Sequence, residues 1–214
     1  MLEIFGFSWK PTQKSFYGWG VVLWGAILGC GDGSPDIPSL SPAAAASQAM
    51  TDFDANGDGT LDAKELEKAP GLQAALKSID KDNSKTISSA ELQDRIEAYR
   101  KDAIAFIQLD VHVSLNGTPV DGAQVTFTPE AFMGTDVKTA AGLTNRGGSA
   151  SLRVEGEEFP GAHCGIYRVR ISKKNSTGKE SIPSRYNSET TLGQEVATDV
   201  ADIERGVKFE LKSP

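Results

Sequence analysis

Histidine and cysteine are both scarce in this chain of 214 residues, which contains two of each. Two cysteines form one disulfide at most, so the chain is not a disulfide-stabilised scaffold. His163 and Cys164 are adjacent, but His112 is the only other histidine, and no third ligand for a soft metal can be identified. We therefore expect His163 and Cys164 to lie in a loop without a chemical role, with Cys164 either buried or paired between chains.

Basic residues are outnumbered, because 22 Lys and Arg face 29 Asp and Glu and leave a net charge of -7. Nucleic acid is not expected as a partner, since binding its phosphates requires clustered Lys and Arg. The sequence also lacks a Gly-rich phosphate-binding loop and a Gly-x-Ser-x-Gly nucleophile turn. Counting residues leaves a Ser/His/Asp triad open, but we predict no catalytic residue and no enzyme. The acidic excess instead suits a protein that gathers cations.

The first thirty residues have the pattern of a bacterial export signal. Lys10 and Lys14 precede an uncharged, largely apolar run over residues 15–29, which is shorter than the roughly 20 apolar residues of a membrane span. The run ends in Ile27-Leu-Gly-Cys30, which resembles the lipobox of bacterial lipoproteins. That resemblance implies cleavage before Cys30, lipidation of its sulfur, and a flexible tether over residues 30–42.

The expected location follows from this segment. We expect an exported protein held on a bacterial cell membrane by a lipid at Cys30, on its periplasmic or extracellular face. Several acyl chains make such anchoring stable, whereas a single chain holds only marginally. A plain secreted protein, a signal anchor and a cytosolic protein are the alternatives, and the sequence does not choose between membranes.

Two segments of twelve residues carry oxygen-bearing side chains at alternate positions. Ca²⁺ is a hard cation that takes six to eight oxygen ligands, and the spacing matches a loop that supplies them from positions 1, 3, 5, 7, 9 and 12. In the first segment Gly59 stands at the sharp turn, and Leu61 is expected to form a short β-bridge with the second segment. The candidate ligands of this first loop are Asp54, Asn56, Asp58, Thr60 through its carbonyl, Asp62 and Glu65.

The second segment departs from this pattern at one position. Lys85 stands where the first loop has Gly59, so we expect a strained, positive φ there. Three carboxylates replace four, and Lys81 and Lys85 add positive charge, so weaker calcium binding is predicted. Ile87 is the residue expected to pair with Leu61. The candidate ligands are Asp80, Asp82, Ser84, Thr86 through its carbonyl, Ser88 and Glu91.

Both loops resemble those of EF-hand proteins, and the resemblance implies Ca²⁺ as the bound ion. Dockerin repeats are the nearest alternative, but their loops end in Asp and these end in Glu. Helical periodicity predicts helices at Ala43–Phe53, before and after Pro70, and over Ser89–Ile107. On the last of these helices, a solvated face is expected to hold Arg95, Arg100 and Lys101.

The pattern changes from helical to alternating after residue 108, which predicts short β-strands. Strands are expected at Leu109–Leu115, Gly122–Pro129, Ala150–Val154, Gly165–Ile171 and Val207–Leu211. Their expected inward side chains are Val125, Phe127, Leu152, Val154, Tyr167, Val169, Ile171, Val207, Phe209 and Leu211.

Motifs in this half resemble carboxypeptidase-regulatory-like, transthyretin-like domains. Gly117–Val125 matches their G-x-P-V-x-G-A-x-V opening, Thr144–Gly148 their T-[DN]-x-x-G turn, and Pro160–Val169 an interrupted P-G-x-Y-x-V. Ile182-Pro-Ser-Arg-Tyr186 is similar to an IP-x-x-Y segment of exported members. The resemblance implies a non-catalytic transthyretin/Ig-like β-sandwich that meets an unknown envelope protein or glycan.

We therefore expect a multi-domain α + β protein. Its parts are a signal peptide at 1–29, a lipid-anchored tether at 30–42, an EF-hand pair at 43–107 and a β-sandwich at 108–214. The expected function is calcium binding in an anchored scaffolding or binding protein. An accessory subunit of an envelope enzyme, a hydrolase and a calcium-responsive signalling protein are alternatives. A sensor would need a Met-rich groove, and only Met50 is available in the calcium-binding segment.

Overall fold

The computed structural model describes residues 36–213, and the expected signal segment and Cys30 lie outside them. The described residues contain both helices and β-sheets, so the mixed α and β class expected from the sequence is confirmed. Four of the five described helices lie in the N-terminal half of these residues. The helices are α1 (Pro42–Phe53), α2 (Ala63–Leu66), α3 (Pro70–Ile79), α4 (Ser89–Asp102) and α5 (Ala201–Arg205).

Local sequence signals explain where these helices begin. Pro42 and Pro70 stand in the first turns of α1 and α3, where the missing N–H of proline has no intrahelical partner to lose. Capping boxes start α2 and α4, because the side chain of the residue before each helix and a Glu three positions later satisfy each other's backbone N–H groups. Those Glu residues are Glu65 and Glu91.

Helix α4 is shorter than the sequence predicts. It ends at Asp102, and Ala103 adopts a left-handed conformation with φ of 50°. Ile107, expected as the last residue of this helix, instead forms an isolated β-bridge with Ala162. The apolar residues after Ala103 therefore contact the β region and do not extend the helix. Their helical spacing in the sequence does not indicate this.

Eleven strands are described, in three sheets. A two-stranded sheet joins β1 (Thr60–Leu61) to β2 (Ile87–Ser88). A five-stranded antiparallel sheet has the order β10, β9, β5, β6, β8. In the third sheet, β3 pairs with β4 and β7 and runs parallel to β11. The bounds are β3 (Asp110–Leu115), β4 (Thr118–Pro119), β5 (Gln124–Pro129), β6 (Ala140–Leu143), β7 (Ser149–Ser151), β8 (Arg153–Val154), β9 (Gly165–Ser172), β10 (Leu192–Val196) and β11 (Val207–Leu211).

The two larger sheets meet through apolar side chains. Phe127 on β5 and Phe209 on β11 make an edge-to-face contact with ring centroids 6.1 Å apart, a geometry that the aromatic quadrupole favours. All ten side chains expected to point inward are buried. The sequence did not predict β4, β6 and β10, which are short or contain Gly, Pro or polar residues.

The helical region (residues 42–102) packs directly on the β region (residues 108–213), and all described residues belong to one compact unit. Helix α3 lies against β10 so closely that a Cβ on Gly193 would come 1.8 Å from the carbonyl oxygen of Pro70. Residues 36–41, the end of the expected tether, also touch the β region, since the N–H of Ser39 donates to Asp136 at 3.3 Å. Within the described part of the chain, none of the helices combines the length and apolar character that a bilayer crossing requires.

Candidate metal centre

The first acidic loop, Asp54–Glu65, wraps around its own side-chain oxygens. The two carboxylate oxygens of Asp54 accept hydrogen bonds from the N–H groups of Gly57 at 2.7 Å and Gly59 at 2.9 Å. At the other end, Glu65 accepts from the N–H of Ala55 at 2.8 Å and of Asp62 at 3.0 Å. The first and last candidate ligands are therefore both turned toward the backbone of the loop.

The second loop, Asp80–Glu91, repeats three of these four contacts at equivalent positions. Asp80 accepts from the N–H of Ser84 at 3.1 Å and of Lys85 at 2.9 Å. Glu91 accepts from the N–H groups of Lys81 and Ser88, both at 3.0 Å. The shared pattern joins position 1 to position 6, and position 12 to positions 2 and 9, in both loops.

A two-residue antiparallel ladder connects the loops. Leu61 lies opposite Ile87, and Thr60 lies opposite Ser88. Leu61 and Ile87 are fully buried, so the eighth residues of both loops pair and enter the core, as the sequence predicts. The ladder holds the two loops side by side.

Backbone conformation at the turn of each loop is also matched. Gly57 and Gly59 have φ of 73° and 84° in the first loop, while Asn83 and Lys85 have φ of 61° and 67° in the second. The positive φ expected at Lys85 is therefore confirmed. Residues other than Gly and Asn are strained at such positive φ values. Lys85 is the one such residue in the second loop.

The carboxylates are arranged differently in the two loops. Oxygen atoms of Asp80, Asp82 and Glu91 lie within 4.8 Å of one another, and among residues 36–213 this is the one such cluster of three metal-binding groups. In the first loop Asp58 is turned toward the amide of Asn56, whose Nδ2 donates to it at 3.0 Å. The loop with fewer carboxylates therefore has them closer together.

Hydrogen bonds favour the charged form of several of these acids. Backbone and side-chain bonds from Thr60 hold the pKa of Asp58 below its ordinary value, and bonds from Ser84 do the same for Asp82. Burial acts to raise the pKa of Glu91, but bonds from Ser88 and Lys81 outweigh it and lower the pKa. These acids are therefore anionic at neutral pH, as a cation ligand must be.

The donor set fits a hard divalent cation. The inward groups are carboxylate, amide, hydroxyl and carbonyl oxygens, which Ca²⁺ prefers, and soft sulfur or imidazole ligands are not among them. Asp62 and Ser88 accept N–H bonds as helix caps, which leaves them oxygen lone pairs for a direct or water-mediated contact.

Residues singled out elsewhere do not form a second centre. Cys164 is buried, and its burial raises the pKa of the thiol to about 11, which leaves it protonated and unreactive at neutral pH. His163 is buried and hydrogen-bonds the carbonyl of Ala105 at 2.8 Å.

On the outer face of β3, His112 pairs with Ser149 at 2.8 Å, whereas Asp110 accepts from Ser151 and not from His112. A relayed Ser/His/Asp arrangement is therefore not formed there.

The sequence expectation for Arg95 is wrong. Arg100 and Lys101 are exposed, but Arg95 is only 5% exposed and its Nε donates to the buried Glu195 of β10 at 2.5 Å. Its other guanidinium nitrogens bind Asp199 at 2.7 Å. A signal for this existed, since Arg95 falls within the apolar stripe of α4 that also holds Leu92, Ile96 and Tyr99. The sequence contained no sign of Glu195 as the partner.

Helix α3 is linked to the β region at its N-terminal end. Glu130, which follows β5, is buried and accepts from the N–H of Gly71 at 3.1 Å. A carboxylate at a helix N-terminus is stabilised by free N–H groups and by the helix dipole. Arg168 of β9 lies 3.5 Å from Glu130 and also donates to the carbonyl of Lys68 at 2.8 Å. Helix α3 is thus held on the sheet at its N-terminal end.

Comparisons with protein-family models, curated proteins and solved structures found no match to this chain.

Proposed function

We propose that this chain binds calcium through the paired loops Asp54–Glu65 and Asp80–Glu91, as an EF-hand pair. The observation that carries the proposal is the hydrogen-bond pattern that both loops share. In each loop the first carboxylate accepts the N–H of position 6, and the last accepts the N–H of positions 2 and 9. Two unrelated acidic turns would not be expected to share these contacts and also to pair through Leu61 and Ile87.

Each loop would hold the ion with its own oxygens. In the first loop the proposed ligands are Asp54, Asn56, Asp58, Asp62, Glu65 and the carbonyl of Thr60. The closely spaced acids Asp80, Asp82 and Glu91 repel one another, and a bound divalent cation would supply the positive charge that offsets this repulsion. Because an ion that binds only the folded chain stabilises it by mass action, calcium would act here as a structural element. Affinities of about 10⁻⁴ to 10⁻³ M are typical of extracellular modules.

The β region is proposed to be a non-catalytic sandwich of the transthyretin/Ig-like kind, which binds or presents an envelope protein or glycan. Its two facing sheets and buried aromatic contacts support this interpretation. The chain is proposed to be exported and anchored to a bacterial membrane by a lipid on Cys30.

Calcium binding is tested by calorimetric titration of the full chain in detergent. We expect two sites in the wild type, with the second loop weaker, one site in Glu65→Gln or Glu91→Gln, and none in the double variant. Glu67→Gln is the matched control, because Glu67 is exposed and lies next to the first loop without being a candidate ligand. The proposal fails if the double variant titrates like the wild type, or if the wild type neither binds nor is stabilised against heat.

The lipid anchor is tested separately. Metabolic labelling with palmitate should mark the wild type and Cys164→Ala, and Cys30→Ala should lose both the label and membrane association. An unlabelled wild type, or a Cys30→Ala variant that stays on the membrane, would contradict the anchor without affecting the calcium proposal.

A further inference from the structure

One buried carboxylate of the β region contacts both helices that flank the second loop. Glu195 of β10 accepts hydrogen bonds from Ser78 on α3 and from Arg95 and Tyr99 on α4. Ser78 lies two residues before Asp80, the first candidate ligand, and Arg95 lies four residues after Glu91, the last one. The contacts of Ser78 and Arg95 therefore bracket the loop from both sides, within about one helical turn of its ends.

These contacts are buried, so they are costly to break. Arg95 and Glu195 are 5% and 2% exposed, and Tyr99 is 3% exposed. One oxygen of Glu195 accepts from Arg95 and Tyr99, while the other accepts from Ser78. Separating α4 from β10 would leave the buried charges of Arg95 and Glu195 without each other, which is strongly unfavourable. Separating α3 would remove the hydrogen bond that Ser78 donates to Glu195.

We propose that Glu195 is a positioning residue for the second calcium loop, an inference that rests on the calcium-binding function proposed above. By fixing α3 and α4 against β10, it holds Asp80 and Glu91 at the separation that lets both reach one ion. The second loop needs this help more than the first, since it contains the strained Lys85 and fewer carboxylates. Preorganisation lowers the ordering cost that binding would otherwise have to meet.

The coupling acts in both directions. If Glu195 in its network strengthens binding at the second loop, calcium in that loop must strengthen the attachment of α3 and α4 to the β region by the same factor. The first loop should be little affected, because α1 and α2 make no hydrogen bond to Glu195 within residues 36–213. The proposed effect is therefore selective for one of two neighbouring sites.

The test is a calcium titration of the full chain in two backgrounds. Glu65→Gln leaves only the second loop to titrate, and Glu91→Gln leaves only the first. Adding Glu195→Gln, which keeps the shape but removes the charge, should weaken the second loop about tenfold, within the range typical of coupled sites. The first loop should stay within about twofold. Glu210→Gln on the exposed face of β11 is the surface control, and Glu130→Gln controls for loss of a buried carboxylate at the far end of α3.

The outcomes separate this inference from the proposed function. A wild type that binds no calcium overturns both. A Glu65→Gln parent that binds calcium as tightly with Glu195→Gln as without it overturns the inference alone, and so does equal weakening of the two loops. Circular dichroism verifies folding. If Glu195→Gln does not fold, Tyr99→Phe replaces it, since this change keeps the ring and removes one hydrogen bond to Glu195, and the same selective weakening is then required.

Discussion

Arg95 and Glu195 form a buried ion pair between helix α4 and strand β10, with Nε and Oε1 2.5 Å apart. Burial acts to lower the pKa of Arg95, but Asp199, Tyr99 and Glu195 outweigh it and raise the pKa, so the guanidinium stays charged. Burial also raises the pKa of Tyr99, which keeps its hydroxyl protonated as a donor to Glu195. The pair joins the helical region to the β region across 100 residues of sequence.

Removing one member of this pair should destabilise the whole unit. Arg95→Ala leaves Glu195 buried without its cationic partner, and we expect a loss of about 3–5 kcal/mol in the free energy of unfolding. Arg100→Ala on the exposed face of the same helix should cost much less, since it breaks only a solvent-screened pair with Glu97. Urea unfolding of both variants measures the difference, and equal losses would contradict the buried network.

Lys85 should weaken the second loop through both its backbone and its charge. Lys85→Gly relieves the positive φ, and we expect the folded chain to gain about 0.5–1 kcal/mol together with tighter calcium binding. Lys85→Ala removes the charge but keeps the strain, so it should tighten calcium binding without the gain in stability. Thermal melting in chelator and calcium titration separate the two effects. No difference between Gly and Ala in melting would show that the left-handed turn is not strained.

The environment of Glu130 should make the stability of the folded chain depend on pH. Burial raises its pKa above the ordinary value of 4.5, although Arg168 and Gly71 act to lower it. The folded chain then holds this proton at a higher pH than the unfolded chain does. The stability gained from neutral Glu130 is therefore fully present below the unfolded pKa and is lost as pH rises through the folded pKa.

The matching experiment compares Glu130→Gln with the wild type from below pH 4.5 to neutral pH. The variant cannot ionise, so its free energy of unfolding should improve relative to the wild type as pH rises. Glu210→Gln, an exposed carboxylate, should show no such trend. A difference that stays constant with pH would mean that Glu130 is not held in a raised-pKa environment.

Calcium should expose no new apolar surface. Helices α3 and α4 are attached to β10 through Glu195, and α3 is attached at its other end through Glu130, so the helix pair has little freedom to open. We expect the fluorescence of an apolar dye to be the same in calcium and in chelator. A clear calcium-dependent increase would favour the signalling alternative over a structural role.

Sequence patterns predicted the features of this molecule that depend on the spacing of nearby residues. The alternation that points Phe127 and Phe209 inward, and the spacing that pairs Leu61 with Ile87, are local regularities, and the structure has both. The positive φ of Lys85 follows from its place in the loop.

Features set by contacts between distant segments could not be predicted in this way. Strand β10 contains Gly193 and Glu195, which do not suggest a buried strand. The strand packs under the helices because Gly193 lets α3 approach closely and because Arg95 neutralises the buried Glu195. Helix α4 similarly ends early, at Asp102, because the residues after it lead to Ile107, which pairs with the distant Ala162.

The most direct test of the paired-loop account is the melting temperature of the full chain in calcium and in chelator, measured beside the Glu65→Gln, Glu91→Gln double variant. With calcium at ten times the dissociation constant, each occupied loop should add about 1.4 kcal/mol to the free energy of unfolding. We expect a clear rise in melting temperature for the wild type and none for the double variant. A wild type that melts at the same temperature with and without calcium, or a double variant that rises equally, would contradict it.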